Sequence, residues 1–303
     1  MSTGLDLVAA ELSSRLGRRL SADHAQAVAG GCINAAWRLH GEGGDVFLKT
    51  NRVDALSMFE AEAEGLDELR HAGALRVPAV FGVGSSGSLA WLALEYVQTG
   101  RPGPAAERQL GAALARQHGC LGESFGWRRD NTIGMTPQPN QRCDEWPEFF
   151  ANRRLGFQLD LARDDGRPPA LIDAGRRLQE LVPRFFEQAH PEPGLLHGDL
   201  WSGNWAADEQ GEPFVFDPAV YFGDPLADIA MTRLFGGFGR EFYAAYEARR
   251  PMQPGANLRC ELYNLYHVLN HLHLFGSGYQ QRARDMIDRL LAELGQSTSP
   301  DHG

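Results

Sequence analysis

The sequence predicts an α+β fold in two lobes, a small β-rich N-terminal lobe with one helix followed by a larger, mainly helical C-terminal lobe. Three observations carry that expectation. Short strand-like runs separated by Gly-containing turns fill the chain up to Val97, the stretch QTGRPGP (98–104) shifts abruptly to Gly, Pro and polar residues, and a helical period dominates beyond it. The chain of 303 residues is long enough for both lobes, since single cores stop growing near roughly 250 to 300 residues. The connector places the boundary between an N-terminal lobe of residues 1–97 and a C-terminal lobe of residues 98–303.

In chain order, a turn at AGGCIN (29–34) leads into a strand from Asn34 to Leu39, and HGEGG (40–44) turns it into a second strand, DVFLKT (45–50). Asp54 opens a helix in which Phe59, Glu62, Leu66 and Leu69 share one stripe, and HAG (71–73) closes it. Two more strands, VPAVFGVG (77–84) and LAWLALEYV (89–97), flank the turn SSGS. Past the connector, helices are expected over 105–118, 146–162 and 171–189, with three more after Asp224. The interruptions are the loop GWRRDNTIGMTPQPN (126–140), the stretch LLHGDLWSGNW (195–205) and a short strand within PFVFDP (213–218).

Composition narrows the function classes. A formal net charge of −10 with scattered arginines argues against nucleic-acid binding, which needs clustered Lys and Arg. No run approaches the roughly 18 apolar residues of a membrane span, and the N-terminus lacks a signal-peptide pattern, so a cytoplasmic protein is expected. Cys32, Cys120, Cys143 and Cys260 lie far apart without CxxC or CxxH spacing, which disfavours a zinc site or a disulfide framework.

LLHGDLWSGNW sets His197, Asp199 and Asn204 in a fixed frame, and the strand that follows delivers Asp217 at its end. Phosphoryl transfer from a nucleotide calls for this set: one carboxylate beside the acceptor hydroxyl, then a carboxylate and an amide oxygen to hold Mg²⁺. Protein kinases carry an Asn five positions after the catalytic-loop Asp, the spacing of Asp199 and Asn204. The plain alternative, Asp199 capping a turn and Asn204 filling a loop, leaves Asp217 unexplained.

Lys49 sits among apolar strand neighbours, where an ammonium can reach the α- and β-phosphates. Glu62 lies on an otherwise apolar helix stripe, and an ion pair with Lys49 resolves both oddities. Glu60 competes for that partnership, but two residues along a helix turns it to another face. The AGGCIN turn, with Gly31 and Cys32, can bring backbone N–H groups over the nucleotide phosphates, although two glycines alone signal little. Cys32 there is either a thiol of lowered pKa or, more commonly, a buried small hydrophobe. Glu95, Tyr96 and Val97 end the last strand where a kinase-like fold pairs the adenine edge with backbone groups.

Asp228, in DPLADIA, resembles the second Asp of a kinase-like DPxxD pattern and would hydrogen-bond the catalytic loop, with His197 supporting that loop; a helix N-terminal carboxylate stabilised by the macrodipole is the alternative. Trp201 either shapes a sugar pocket or covers the core. His267, His271 and His273 suggest a metal site, yet no HExxH-type carboxylate accompanies them, so packing or cleft-lining roles are favoured.

With these residues assembled, the chain resembles the fructosamine-3-kinase (ketosamine-3-kinase) family, within the wider aminoglycoside phosphotransferase-like kinases. The resemblance rests on HGDLWSGN (197–204), FDPAVYFGDPLADIAM (216–231), LFGGF (234–238), FLKTN with MFEAEAEGL, DNTIGMTPQ with WPEFF, and LNHLHLFG. It implies a bilobal protein-kinase-like fold and transfer of the γ-phosphoryl of ATP to the 3-hydroxyl of a ketoamine sugar adduct, whose product falls apart to free the amine. Carried over by motif, Asp199 is the base, Asn204 and Asp217 are the Mg²⁺ ligands, Lys49 binds phosphate with Glu62 as partner, and Glu95 to Val97 form the adenine hinge. His271, in the family's LNH pattern, falls on the substrate side.

The implied partners are small glycated amines or glycated protein side chains, taken by a monomer, with a redox-linked dimer through Cys32 left open. Asn34 stands where a Ser is common, Trp205 replaces a smaller apolar residue, and AVYFGD stands where ASFYGH is usual. Other readings are a kinase of the same fold acting on an aminoglycoside, choline or sugar hydroxyl, or a nucleotide-binding pseudokinase.

Overall fold

A computed structural model describes residues 2–28 and 33–296. Five antiparallel strands form the N-terminal sheet in the order β1-β2-β3-β5-β4: β1 (Leu20–Ala27), β2 (Ala35–Gly41), β3 (Val46–Arg52), β4 (Val80–Ser86) and β5 (Leu89–Glu95). The period of two decides what each face carries. Along β5, Trp91 and Ala93 join Val46 and Leu48 of β3 under the helix α1 (Ser2–Leu16) through Leu5, Val8 and Leu12. Ala90, Leu92 and Leu94 turn the other way and pack with Phe59, Leu66 and Leu69 of α2 (Leu56–Ala72). Lys49 alternates with Leu48 and therefore faces α2.

The sheet thus carries a helix on each face instead of the one expected. Leu5, Val8 and Leu12 do follow a helical period, but three apolar positions in a mostly polar N-terminal segment are a faint signal beside the hairpins that follow. β1 leaves no strand signal at all, because Leu20 is its one buried residue and an edge strand of LSADHAQA has no alternation to read. The helix expected from Asp54 begins as a 3₁₀ turn, Val53–Ala55, and ends at Gly73 with φ of 71°, a left-handed cap that suits glycine.

The remaining chain is mainly helical. α3 (Pro104–Gln117) follows the connector, and the loop expected over 126–140 contains a small hairpin, β6 (Asn131–Ile133) with β7 (Thr136–Gln138). α4 (Trp146–Phe149) runs through a π-helical stretch, Phe150–Gly156, into α5 (Phe157–Asp164), and α6 (Pro169–Leu181) ends in a 3₁₀ turn. Two short pairs follow, β8 (Gly194–Leu196) with β11 (Tyr221–Gly223), and β9 (Trp205–Ala207) with β10 (Pro213–Val215). Among the described residues four helices, not three, follow Asp224: α7 (Leu226–Leu234), α8 (Arg240–Glu247), α9 (Ala256–Phe275) and α10 (Gln280–Gln296). One large apolar cluster unites α2, the α2 side of the sheet and these helices. Among the described residues no helix is long and apolar enough to cross a membrane.

Candidate active site

The loop between β8 and β9 carries the central residues, and Asp228 in the first turn of α7 holds it. Asp228 Oδ2 accepts the His197 N–H at 2.8 Å and Oδ1 the Gly198 N–H at 2.9 Å, while His118 Nε2 lies 3.1 Å from Oδ2. Burial pushes the Asp228 carboxyl up, but the His118 hydrogen bond and the surrounding donors outweigh it and hold the group below the usual carboxylate range. Asp228 thus sits in the first turn of a helix and hydrogen-bonds the loop that carries Asp199. Gly198 has φ of 84°, and a Cβ there would come within 2.0 Å of the Ala219 carbonyl oxygen. Only glycine fits this crossing.

His197 is fully buried, and burial lowers its pKa and keeps the imidazole neutral. Its Nε2–H donates to the Phe216 carbonyl at 3.0 Å, so Nδ1 is the acceptor that faces the Asp199 N–H at 3.3 Å. Asn204 spends its amide nitrogen on Asp199, donating to the backbone oxygen at 2.8 Å and to Oδ2 at 3.3 Å. Asp199 is open at one rim but otherwise enclosed. That burial, with the negative charge of Asp217, pushes its carboxyl up to about 7.

Lys49 is buried between two carboxylates, with Nζ 2.6 Å from Glu62 Oε1 and 2.5 Å from Asp217 Oδ1. Burial alone would lower the ammonium pKa, but the two acids raise it above its ordinary value and keep the cation charged. Asp217 is the one non-glycine residue of positive φ, 56°, among those described. Strain of this kind collects at functional sites. The competition between Glu60 and Glu62 is settled by geometry, since Glu60 lies 3.9 Å from Arg129 on the far side of α2.

The structure brings Lys49, Glu62 and Asp217 into one cluster and His197, Asp199, Asn204 and Asp228 into a second, with the charge of Asp217 felt in both. Glu95 closes the sheet toward the connector: its N–H donates to the Ala79 carbonyl at 2.8 Å and its Oε2 accepts the Ala79 N–H at 3.1 Å. The Tyr96 ring lies 4.4 Å from the Arg38 guanidinium, and Val97 follows half-buried. Gly31 and Cys32 fall outside the described residues. Trp201 is 38% exposed, so it does not cover the core, and its indole lies against Gly203.

The three histidines of α9 face different neighbours. His271 Nδ1 bonds the His267 carbonyl at 2.8 Å within a ring cluster of Phe235, Phe275 and Tyr279, and His273 pairs with Asp165 at 2.8 Å. His267 is buried.

Sequence reasoning misses His118, a single residue at the end of α3 with no motif around it. It also leaves Asn131 and Gln138 without a role, although they lie in DNTIGMTPQ. Asn131 donates to the Val220 carbonyl at 2.8 Å and Gln138 to the Ala219 carbonyl at 3.1 Å, fastening the segment that follows Asp217.

The arrangement can orient a hydroxyl at Asp199, bind phosphate at Lys49 and offer hard oxygen donors beside them. A Mg²⁺ ion fits that donor set. Asn204 commits its nitrogen to Asp199, which leaves Oδ1 as a donor, and the Asp217 side chain is 45% exposed. The raised Asp199 carboxyl marks a place where negative charge lacks compensation.

The family model for fructosamine kinase matches residues 5–293. A probable ketoamine kinase of Synechocystis is 42% identical over 288 residues, 94% of this chain and 96% of that protein. The chloroplastic protein-ribulosamine 3-kinase of Arabidopsis thaliana is 43% identical, covering 88% of this chain and 82% of its own length. Among solved structures, a fructosamine-3-kinase candidate from Haemophilus somnus superposes with a TM-score of 0.87 at 28% identity, covering 95% of this chain and 98% of its own. An aminoglycoside phosphotransferase solved with ADP and hygromycin B shares the fold at a TM-score of 0.63 and 18% identity, over 96% of this chain and 99% of that one.

Proposed function

The chain belongs to the fructosamine kinase family, and from that premise we propose that it transfers the γ-phosphoryl group of ATP to the 3-hydroxyl of ketosamines and so returns the glycated amine to its free form. The observation that carries the reading is the pair of linked clusters: Lys49 gripped by Glu62 and Asp217, and Asp199 held by Asn204 beside them. ATP as donor is further supported by the fold shared with a nucleotide-bound phosphotransferase. In this reading the connector after Val97 divides a nucleotide-binding lobe, 1–97, from a catalytic and substrate-binding lobe, 98–303.

Each residue has one task. Lys49 binds the α- and β-phosphates, with Glu62 fixing its ammonium, and the backbone of Glu95 to Val97 receives the adenine edge. Asp199 orients the acceptor hydroxyl and takes its proton as the oxygen bonds to the γ-phosphorus and ADP departs. Asn204 and Asp217 would hold Mg²⁺, which when bound supplies neutralisation of the phosphate oxygens. His197 and Asp228 keep the loop in register, and Trp201 and His271 are assigned to the sugar side.

The name of the bacterial relative supports a ketoamine as substrate, and that of the plant relative supports ribulosamine on protein amines in particular. Phosphorylation of a ribulosamine and a fructosamine, each as a small molecule and on a glycated protein, tests this directly. Transfer to ribulosamine with loss of the adduct is expected. Turnover of an aminoglycoside or choline but of neither ketosamine would refute it.

A further inference from the structure

The outer face of α2 carries Glu60, Glu64 and Glu68, spaced by four, while Glu62 lies two residues along on the opposite face. A charged patch of that kind is usually just solvated. Here it is gripped from one side by three consecutive residues of the C-terminal lobe. The buried Trp127 donates through Nε1 to Glu68 at 3.4 Å, Arg128 bonds Glu68 and also Glu64 at 3.2 Å, and Arg129 bonds Glu64 at 2.6 Å and the Ser57 carbonyl at 3.4 Å.

The same segment is anchored at its other end by buried amides. Asn131 and Gln138 donate to the Val220 and Ala219 carbonyls, Asn131 Oδ1 accepts from both Gln138 and Asn140 at 2.8 Å, and Asn140 donates to the Arg129 carbonyl at 3.2 Å. The buried Arg154 braces it from below, donating to Asn140 Oδ1 at 2.7 Å and to the Pro139 carbonyl at 2.6 Å. These contacts close a ring. It runs from α2 through Glu62, Lys49 and Asp217 to Ala219 and Val220, across the hairpin to Arg129 and Arg128, and back to α2.

We propose that residues 127–140 form a strap that fixes α2 against the Asp217 segment, and that Arg128 and Arg129 are positioning residues acting through Glu62. Without the strap, α2 keeps its apolar packing on the sheet and its contact through Gly65 with Val220 and Pro218 but loses the polar ties along its outer face, and a shift of an ångström breaks a hydrogen bond of 2.6 Å between Lys49 and Glu62. Lys49 then keeps Asp217 as its sole partner, at the expense of phosphate and cation binding. The consequence for nucleotide rests on the function proposed above, whereas the tie itself does not.

Two measurements separate these parts. In hydrogen exchange without nucleotide, Arg128→Ala/Arg129→Ala should raise exchange across residues 56–72 and leave β3 and β5 protected; unchanged exchange in α2 overturns the strap. In kinetics, the same variant should raise the KM for ATP by roughly three- to tenfold with kcat within about twofold, the scale of a small ion-pair network, and the Lys pair should recover most of it. Introduced into Glu62→Gln, the alanine pair should add nothing further, because it acts through that residue. Additive effects on KM overturn the assignment. If the alanine pair does not fold, Glu64→Gln removes the shared acceptor alone and must reproduce the pattern. A wild-type chain that phosphorylates no ketosamine defeats the functional reading, and exchange alone then decides the strap.

Discussion

Asp199 meets two opposed demands. In the proposed reaction it must stay close enough to Asp217 for both to face one phosphoryl group, yet neighbouring carboxylates repel, and its carboxyl is pushed up to about 7 by burial and that neighbour. Asn204 offsets part of the cost by donating to it. Asp199→Asn keeps the shape and removes the proton acceptor. Turnover should fall by roughly 10²- to 10⁴-fold while ATP binding, followed by titration calorimetry, stays within about threefold of wild type. Retained kcat would remove Asp199 from the reaction. Asp217→Asn tests the neighbouring role: Lys49 keeps Glu62, one acidic oxygen donor is lost, and the Mg²⁺ concentration for half-maximal rate should rise about tenfold or more.

At the scale of elements, the catalytic loop is a crossing of two backbones with no room to spare. Gly198→Ala places a methyl 2.0 Å from the Ala219 carbonyl oxygen and 2.7 Å from its carbon. Backbone on both sides cannot turn away as a side chain would. Gly166, with φ of 72° and nothing within 4 Å of where a methyl would stand, isolates the conformational part of that cost. Gly166→Ala should therefore cost about 1–2 kcal/mol in urea unfolding, with activity retained. Gly198→Ala should lose measurably more and lose turnover as well. Equal losses in the two variants would show that the crossing tolerates displacement.

This loop is also the most legible element in the sequence, because Asp199, Asn204 and the turn residues between them are spaced by chemistry that neither a helix nor a strand requires. Lys49 and Glu62 can be paired from sequence alone, since each is a charge on an apolar face and periodicity turns Glu60 away. The strands of the sheet are readable where one face is buried, as in β3 and β5, and unreadable in β1, where Leu20 alone is buried. The strap is invisible for a different reason. Arg128 and Arg129 look like any loop arginines until the fold brings α2 beside them, and the amides of Asn131 and Gln138 bond carbonyls more than 80 positions away. Side chain to backbone bonds at such separation leave no local period to read.

For the molecule as a whole, the helical core behind the site stores a pH dependence that no single residue reveals from outside. His267 is buried in α9 with Nδ1 lacking a hydrogen-bond partner, and burial, aided by His271, pushes its pKa down to about 3. In the unfolded chain it titrates near 6.5. As pH falls below that value the unfolded state takes up a proton the folded state refuses, so folding loses free energy down to about pH 3. Asp199 acts with the opposite sign. Its raised carboxyl binds a proton in the folded state below about 7, while the unfolded group waits until near 4, so acidification over that interval favours folding. The two contributions oppose each other, so a wild-type stability curve does not display the histidine by itself.

The difference between wild type and His267→Leu isolates the histidine. Leucine fills similar space and leaves no orphaned ring nitrogen. Measured by urea unfolding, the stability of wild type relative to this variant should fall by about 2 kcal/mol between pH 7.5 and pH 5, the span in which the unfolded imidazole becomes charged. A constant difference across that range would mean that His267 takes up its proton inside the folded protein, and that α9 opens to water where its packing indicates that it stays closed.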